Sequence, residues 1–251
     1  MLKYLKNMQV KQDFCKEIKL PYTAQYLFGS RVYRTATAES DYDVIFILPP
    51  DHIKKDSLVM DGNFHYQIYT HDEWIYKIKN MDIAALECIF LPYEPSSPNL
   101  HDYLQYFSLD LNRLRESIST ISNNSWTKGK KKLIISGDYD KKAALKSIFH
   151  SIRILRFGIQ IARTGKIYDY KEANWLWVEL SKLGDQYDSD ILWEKINARY
   201  KAVFNATSSE FKALAPKDLV VRDKVRTLKD ILDRYGCYSQ ELADEIKQVY
   251  E

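Results

Sequence analysis

The chain of 251 residues is 45% apolar and 28% charged with a net charge of +3, the composition of a globular protein able to bury a sizeable core. Its first 20 residues carry five lysines and no apolar run, and no window approaches the roughly 18 uninterrupted apolar residues of a membrane span, so neither a secretory leader nor a membrane anchor is expected. Cys15, Cys88 and Cys237 are odd in number and far apart, which excludes a closed disulfide framework and paired zinc spacing and makes a cytoplasmic setting the expectation.

Strand and helix signals alternate over the first 92 residues. Ala24 to Phe28 is a short apolar run ending at Gly29, and Tyr42 to Leu48 is a β-branched and aromatic run stopped by Pro49 and Pro50. Asn63 to Tyr69 follows the turn signal Asp61-Gly62 and alternates in period two, which predicts a third strand. Thr70 and Glu73 form a capping box that opens a helix through Trp74, Ile75 and Ile78, and a second short helix starts at Asp82. The proline-rich YEPSSPN at residues 93–99 marks the expected boundary between an α/β domain, residues 1–99, and a helical bundle, residues 100–251. Helical periods there fall at about 101–122, 141–164, 172–183, 189–204, 218–234 and 239–250, with caps at Gly165, Gly184 and Gly236. The tryptophans at 175 and 177 fall at helical spacing with apolar neighbours and suggest packing before ligand stacking.

Chemistry concentrates where the first strand ends and the second begins. Ten residues separate Gly29-Ser30 from Asp41-Tyr42-Asp43. Residues two apart in a strand point the same way, so both carboxylates face one side, and paired hard oxygens suit Mg²⁺, which takes few carboxylates together with waters and phosphates. Gly29 allows close approach of a phosphate to the backbone, and Ser30 offers a hydroxyl and an N–H to it. Charge is uneven as well: from Lys128 to Lys166 eleven basic residues meet only Asp138 and Asp140, which leaves +9 and favours polyanions, although a solvated lysine face is the ordinary alternative.

GSRVYRTATAESDYDVIFIL resembles the Gly-Ser…Asp-x-Asp signature of the DNA polymerase beta-like nucleotidyltransferase superfamily, and within it the form found in the RNA-ligase-associated nucleotidyltransferases of bacteria and phages. MDIAALECIFLP at 81–92 is similar to that family's N-x-x-x-L-E helix, and residues 141–167 to its later H-x-x-R helix. The resemblance implies an α+β fold, a small polymerase-beta-like palm with a short mixed sheet followed by an all-helical domain, with the active site in the cleft between them. It implies transfer of a nucleoside monophosphate from an NTP to an acceptor hydroxyl, with an RNA 3′ end as the expected acceptor; protein AMPylation and nucleotide or RNA binding without catalysis are the alternatives. Gly29, Ser30 and Arg31 would then hold the triphosphate, and Asp41 and Asp43 would ligate magnesium.

Two positions depart from the family. Arg34 stands where glycine is usual, and the strand NFHYQIY lacks the third acid, offering His65 and Gln67 instead. A neutral His65 can accept a proton as general base but cannot supply a carboxylate's charge, so a second magnesium site lacks its ligand unless Asp61 or Glu87 reaches it; a satisfied strand histidine is the plainer role. Glu87 equally suits a hydrogen-bonding anchor. Lys142, Lys146, His150 and Arg153 share one helical face, which predicts a cationic stripe with Lys146, His150 and Arg153 clamping the nucleotide across the cleft.

Overall fold

A computed structural model describes residues 21–52, 58–91 and 102–217, with only the backbone described at 58–61. Strands β1 (Ala24–Phe28), β2 (Tyr42–Ile47), β3 (Leu58–Asp61) and β4 (Phe64–Tyr69) form one sheet in the order β1-β2-β4-β3. β1 runs antiparallel to β2, β2 parallel to β4 and β3 antiparallel to β4, so the sheet is mixed and the aspartate-bearing β2 lies inside it. β3 has no counterpart in the sequence reading. It pairs with β4 through the Asp61-Gly62 turn, where Gly62 has φ 53°, so that signal closes a hairpin whose first arm is only four residues long.

Alternation along β2 divides its apolar side chains between two faces. Ile45 and Ile47 join the main core beneath the helices, while Val44, Phe46 and Leu48 pack with Tyr66 and Ile68 on the opposite face. One turn of helix, α1 (Ser30–Tyr33), leaves the end of β1. The predicted capping box opens α2 (His71–Lys79): Glu73 N–H donates to Thr70 Oγ1 at 3.2 Å, and Thr70 N–H donates to the Glu73 carboxylate at 2.8 Å. Asp82 caps α3 (Ile83–Ile89) by accepting from the Ala84 and Ala85 N–H groups.

The described residues from 102 onward contain helices and no strand: a 3₁₀ turn at Tyr103–Tyr106, then α4 (Leu111–Ile134), α5 (Lys141–Thr164), α6 (Asn174–Gln186) and α7 (Ser189–Leu214). The protein is therefore of mixed α+β class with a mostly helical C-terminal part. The boundary expected at 93–99, the helices expected at 218–234 and 239–250, and Gly236 lie outside the described residues. Among the described residues no helix is long and apolar enough to cross a membrane.

α4 corrects the helix expected at 101–122. It starts only at the Asp110 cap and continues through the lysine run to Ile134. Gly129 does not break it, because a Cβ there would stand 2.5 Å from Ile148 Cγ1 and 3.1 Å from the Ala144 carbonyl. Close packing of α4 on α5 outweighs the ~1 kcal/mol by which glycine disfavours a helix interior. Gly184 likewise lies inside α6, not at its cap, with Leu145 beside it, and α7 runs ten residues beyond its expected end at 204.

Arg34, exposed after α1, has φ 61° and ψ 35°, in the left-handed region. This is the position at which the resembled family carries glycine, and a side chain there costs about 1–2 kcal/mol, against the ~0.5–1 kcal/mol that glycine loses through its freer unfolded chain. Arg34→Gly is expected to raise stability by up to about 1 kcal/mol in urea unfolding. An unchanged or lower midpoint would place a stabilising contact on the Arg34 side chain.

Candidate functional site

The register of the sheet sets Phe28, Asp43 and His65 at one level across β1, β2 and β4. Laterally paired residues share a face, so Asp43 and His65 both stand on the side that carries Ile45 and Ile47. His65 Nδ1 lies 3.7 Å from Asp43 Oδ1, with each side chain about one third exposed. Gly29 meets the same carboxylate. Its φ is 77°, and a Cβ built on it would fall 2.3 Å from Asp43 Oδ2, so only a residue without a side chain fits between the end of β1 and Asp43.

Burial raises the Asp43 pKa, with His65 the strongest opposing influence; nearby Asp41 adds to the rise, and Lys146 and Arg31 also oppose it. Asp43 is thus the meeting point of three strands, the turn at Gly29 and the N-terminal half of α5. Lys146 is exposed there, as is Asp41. Ser30 follows Gly29 as the first residue of α1, and its carbonyl accepts from the N–H groups of Arg34 and Thr35, which fixes the turn.

Arg31 is engaged with protein rather than held open. Its Nε donates to the Asp41 carbonyl at 3.2 Å, its Nη2 donates to the Ser40 carbonyl, and its Cζ lies 3.6 Å over the Tyr42 ring. The guanidinium therefore staples the loop that delivers Asp41 to the site, while its charge stays beside Asp43.

The cationic stripe needs a larger correction. Lys142 and Lys146 are exposed, but one to two turns further along the same face α5 is covered by α1 and α3, and Arg153 is only 3% exposed. Arg153 Nη2 donates to Glu87 Oε1 at 3.4 Å and to His150 Nδ1 at 2.6 Å, and its Cζ lies 3.4 Å over the Tyr33 ring. The Tyr33 hydroxyl donates to the other Glu87 oxygen, Tyr170 donates to the Glu87 carbonyl at 2.7 Å, and Asn174 donates to the Tyr33 carbonyl at 2.8 Å. The face was read correctly from its spacing, yet neighbouring elements turn its second half into core. Arg153 is thus taken up inside the protein by Glu87, His150 and Tyr33, with His150 half-buried beside it.

Glu87 settles as the anchor. Burial raises its pKa while Arg153 and the Tyr33 hydroxyl oppose that rise, and both its oxygens are used inside the protein. It supplies no third metal ligand. The side chain of Asp61 lies outside the described residues, and β4 places His65, not an acid, beside Asp43. Among the described residues no group of three or more His, Cys, Asp or Glu side chains converges as a metal site. The Asp41–Asp43 pair fits magnesium in the manner of sites completed by water and substrate phosphates, with the Gly29 backbone lying against one of its oxygens.

Tyr33, Tyr42 and Asn174 were not singled out from sequence. Tyr33 is separated from Glu87 by 54 positions and Asn174 from Tyr33 by 141, so no local pattern could have joined them. An open groove between α6 and α7, lined by Trp175, Val178, Glu179, Arg199, Tyr200 and Val203, shares none of the site residues. Compared with protein-family models and with curated protein sequences, the chain matches none.

Removing one partner of a buried ion pair leaves an uncompensated charge, at a cost of about 3–5 kcal/mol. Arg153→Ala is therefore expected to destabilise the fold by that amount, while Lys146→Ala at the exposed end of the face changes stability by less than about 0.5 kcal/mol; equal effects in urea unfolding would contradict the burial described. His150 gives a pH signature. Burial, then Arg153 and Lys128, push its pKa well below 6.5, so as pH falls through about 6.5 the unfolded chain gains a proton that the folded chain does not. Stability falls over that window, and in His150→Gln it should fall less between about pH 7 and 5.5; identical losses would show that His150 titrates freely.

Proposed function

We propose that the chain is a magnesium-dependent nucleotidyltransferase built on a polymerase-beta-like palm, moving a nucleoside monophosphate from an NTP to an acceptor hydroxyl, with an RNA 3′ end as the acceptor. The observation that carries this reading is the contact of Gly29 with Asp43. A turn without a side chain, a serine after it and a carboxylate pair on the adjoining strand give phosphate oxygens and a hard cation neighbouring places to bind.

In this reading the Gly29-Ser30 backbone and the Ser30 hydroxyl hold the triphosphate, Lys146 offsets its charge, and Asp41 and Asp43 would hold magnesium. The metal, when bound, supplies Lewis-acid polarisation of the phosphoryl group and charge neutralisation of the leaving pyrophosphate. The acceptor oxygen forms a bond to the α-phosphorus, the bond from that phosphorus to the bridging oxygen of the β-phosphate breaks, and the acceptor proton passes to His65. The support for His65 in this role is that it stands beside Asp43 across β2 and β4, with its Nδ1 3.7 Å from Asp43 Oδ1.

A second reading, nucleotide binding without turnover, is favoured by one observation: the residue beside Asp43 on β4 is a histidine where this chemistry commonly uses a carboxylate. α-Labelled NTPs incubated with total RNA and with total protein separate the readings. Label on RNA and release of pyrophosphate, both reduced about 100-fold in Asp43→Asn, are expected. Label on protein would assign AMPylation. Thermal stabilisation by ATP and Mg²⁺ without pyrophosphate release from any NTP would leave only binding.

A further inference from the structure

The α4–α5 hairpin carries two rows of lysines side by side. Lys142 and Lys146 are one turn apart on α5, both exposed, and α4 returns along α5 so closely that Gly129 faces Ala144 and Ile148. Lys128, exposed one residue before Gly129, is near enough to depress the pKa of His150. At the other edge of the row, Lys142 acts on Glu39 and Lys146 on Asp43. The row therefore runs from α4 across α5 to the sheet end at which Asp43 stands.

These lysines differ from those at the hairpin tip. Lys132 pairs with Asp138 at 2.5 Å and Lys141 with Asp188 at 3.5 Å, whereas Lys128, Lys142 and Lys146 have no ion-pair partner among the described residues. The exposed residues of α4 in the two turns before Lys128, which are Thr120, Asn123, Asn124 and Thr127, are polar, and the exposed apolar side chain of this helix, Ile134, lies at its far end. A protein partner needs an apolar patch at the centre of its contact; unpaired cations among amides and hydroxyls suit a sugar–phosphate backbone, which is bound by charge and counterion release.

We propose that Lys128, Lys142 and Lys146 form a track for the backbone of a single-stranded nucleic acid that brings the strand's end to Asp43. This assigns a binding surface to the acceptor and rests on the reading of the sheet end as a nucleotidyl-transfer site. A single strand is chosen because the transfer reading needs a free terminal hydroxyl at Asp43, which the end of a single strand supplies without unpairing.

The test is fluorescence anisotropy of the full chain with labelled single-stranded RNA and DNA of one sequence, without NTP, over a range of salt. Binding is expected to weaken with salt by a slope of about 0.7 per phosphate contact, so about 2 for three lysines. In the variant Lys128→Glu with Lys142→Glu, affinity should fall more than tenfold at low salt and the slope should flatten by about 1 or more, while the unfolding midpoint and the thermal shift given by ATP with Mg²⁺ stay unchanged. Preference for RNA over DNA would identify the ribose hydroxyl as part of what is read. The proposal is overturned if neither strand binds at low salt, if the double variant binds as tightly as the native chain, or if polyglutamate displaces the oligonucleotide at equal charge concentration. Failure of the transfer reading looks different: oligonucleotide binding intact in the native chain and in Asp43→Asn, with no pyrophosphate released by either.

Discussion

A buried ion pair, Arg153 with Glu87, is the interaction on which the rest of this structure depends. It joins α5 of the helical part to α3 of the sheet part, and it does so beneath Tyr33, whose ring lies under the guanidinium and whose hydroxyl satisfies the second Glu87 oxygen. Taking two charges out of water costs several kcal/mol each, which the hydrogen bonds and ring contacts around such a pair must offset. Here the Tyr33 hydroxyl meets the second Glu87 oxygen, His150 accepts from Arg153 Nη2 and the Tyr33 ring covers the guanidinium, while Arg153 Nε is buried without a hydrogen-bond partner. The pair therefore specifies an arrangement more than it adds stability: a shift of any one element leaves a charge or a dipole unmatched in the core.

The consequence for the site follows from chain connectivity. Tyr33 is three residues beyond Ser30, so fixing its ring and, through Asn174, its carbonyl fixes the single turn of helix that begins with Ser30. That turn in turn holds Gly29 at φ 77° against Asp43. Arg31 works from the other side, fastening the carbonyls of Ser40 and Asp41. The residues at the sheet end are thus set by two arginines acting through hydrogen bonds and ring faces, one buried and one at the surface, and preorganisation of this kind is what binding a triphosphate in one orientation requires.

Legibility from sequence was uneven for physical reasons. β1, β2, β4, α2 and α3 announce themselves through local signals: β-branched runs stopped by prolines, a period-two alternation, a capping box, an aspartate cap. The Asp41-x-Asp43 pair was legible because residues two apart at a strand point the same way, and Gly29-Ser30 because the run resembles a known signature. β3 was not, since LVMD is too short to show a period, and neither was the continuation of α4 beyond 122, since the close packing of Gly129 against Ala144 and Ile148 comes from α5. Arg153 shows the limit most clearly. Helical spacing places it on the face of Lys146, but whether a face is open or covered is a property of elements distant in sequence, and the same residue type reads as a phosphate clamp in one case and a core anchor in the other. Arg34 is the converse, a residue with a full side chain held in the left-handed backbone, which no local sequence signal announces.

The central claim is that the sheet end around Asp43 is one preorganised place for a nucleotide and its cation. A crystal structure of the full chain with Mg²⁺ and an NTP analogue that cannot be cleaved at the α-phosphorus addresses it directly. The account predicts triphosphate oxygens at the Gly29 and Ser30 N–H groups, the cation on Asp41 and Asp43, and the Glu87–Arg153 pair undisturbed beneath Tyr33. A nucleotide seated elsewhere, such as the groove between α6 and α7, or a cation that leaves Asp43 uncoordinated, would contradict it.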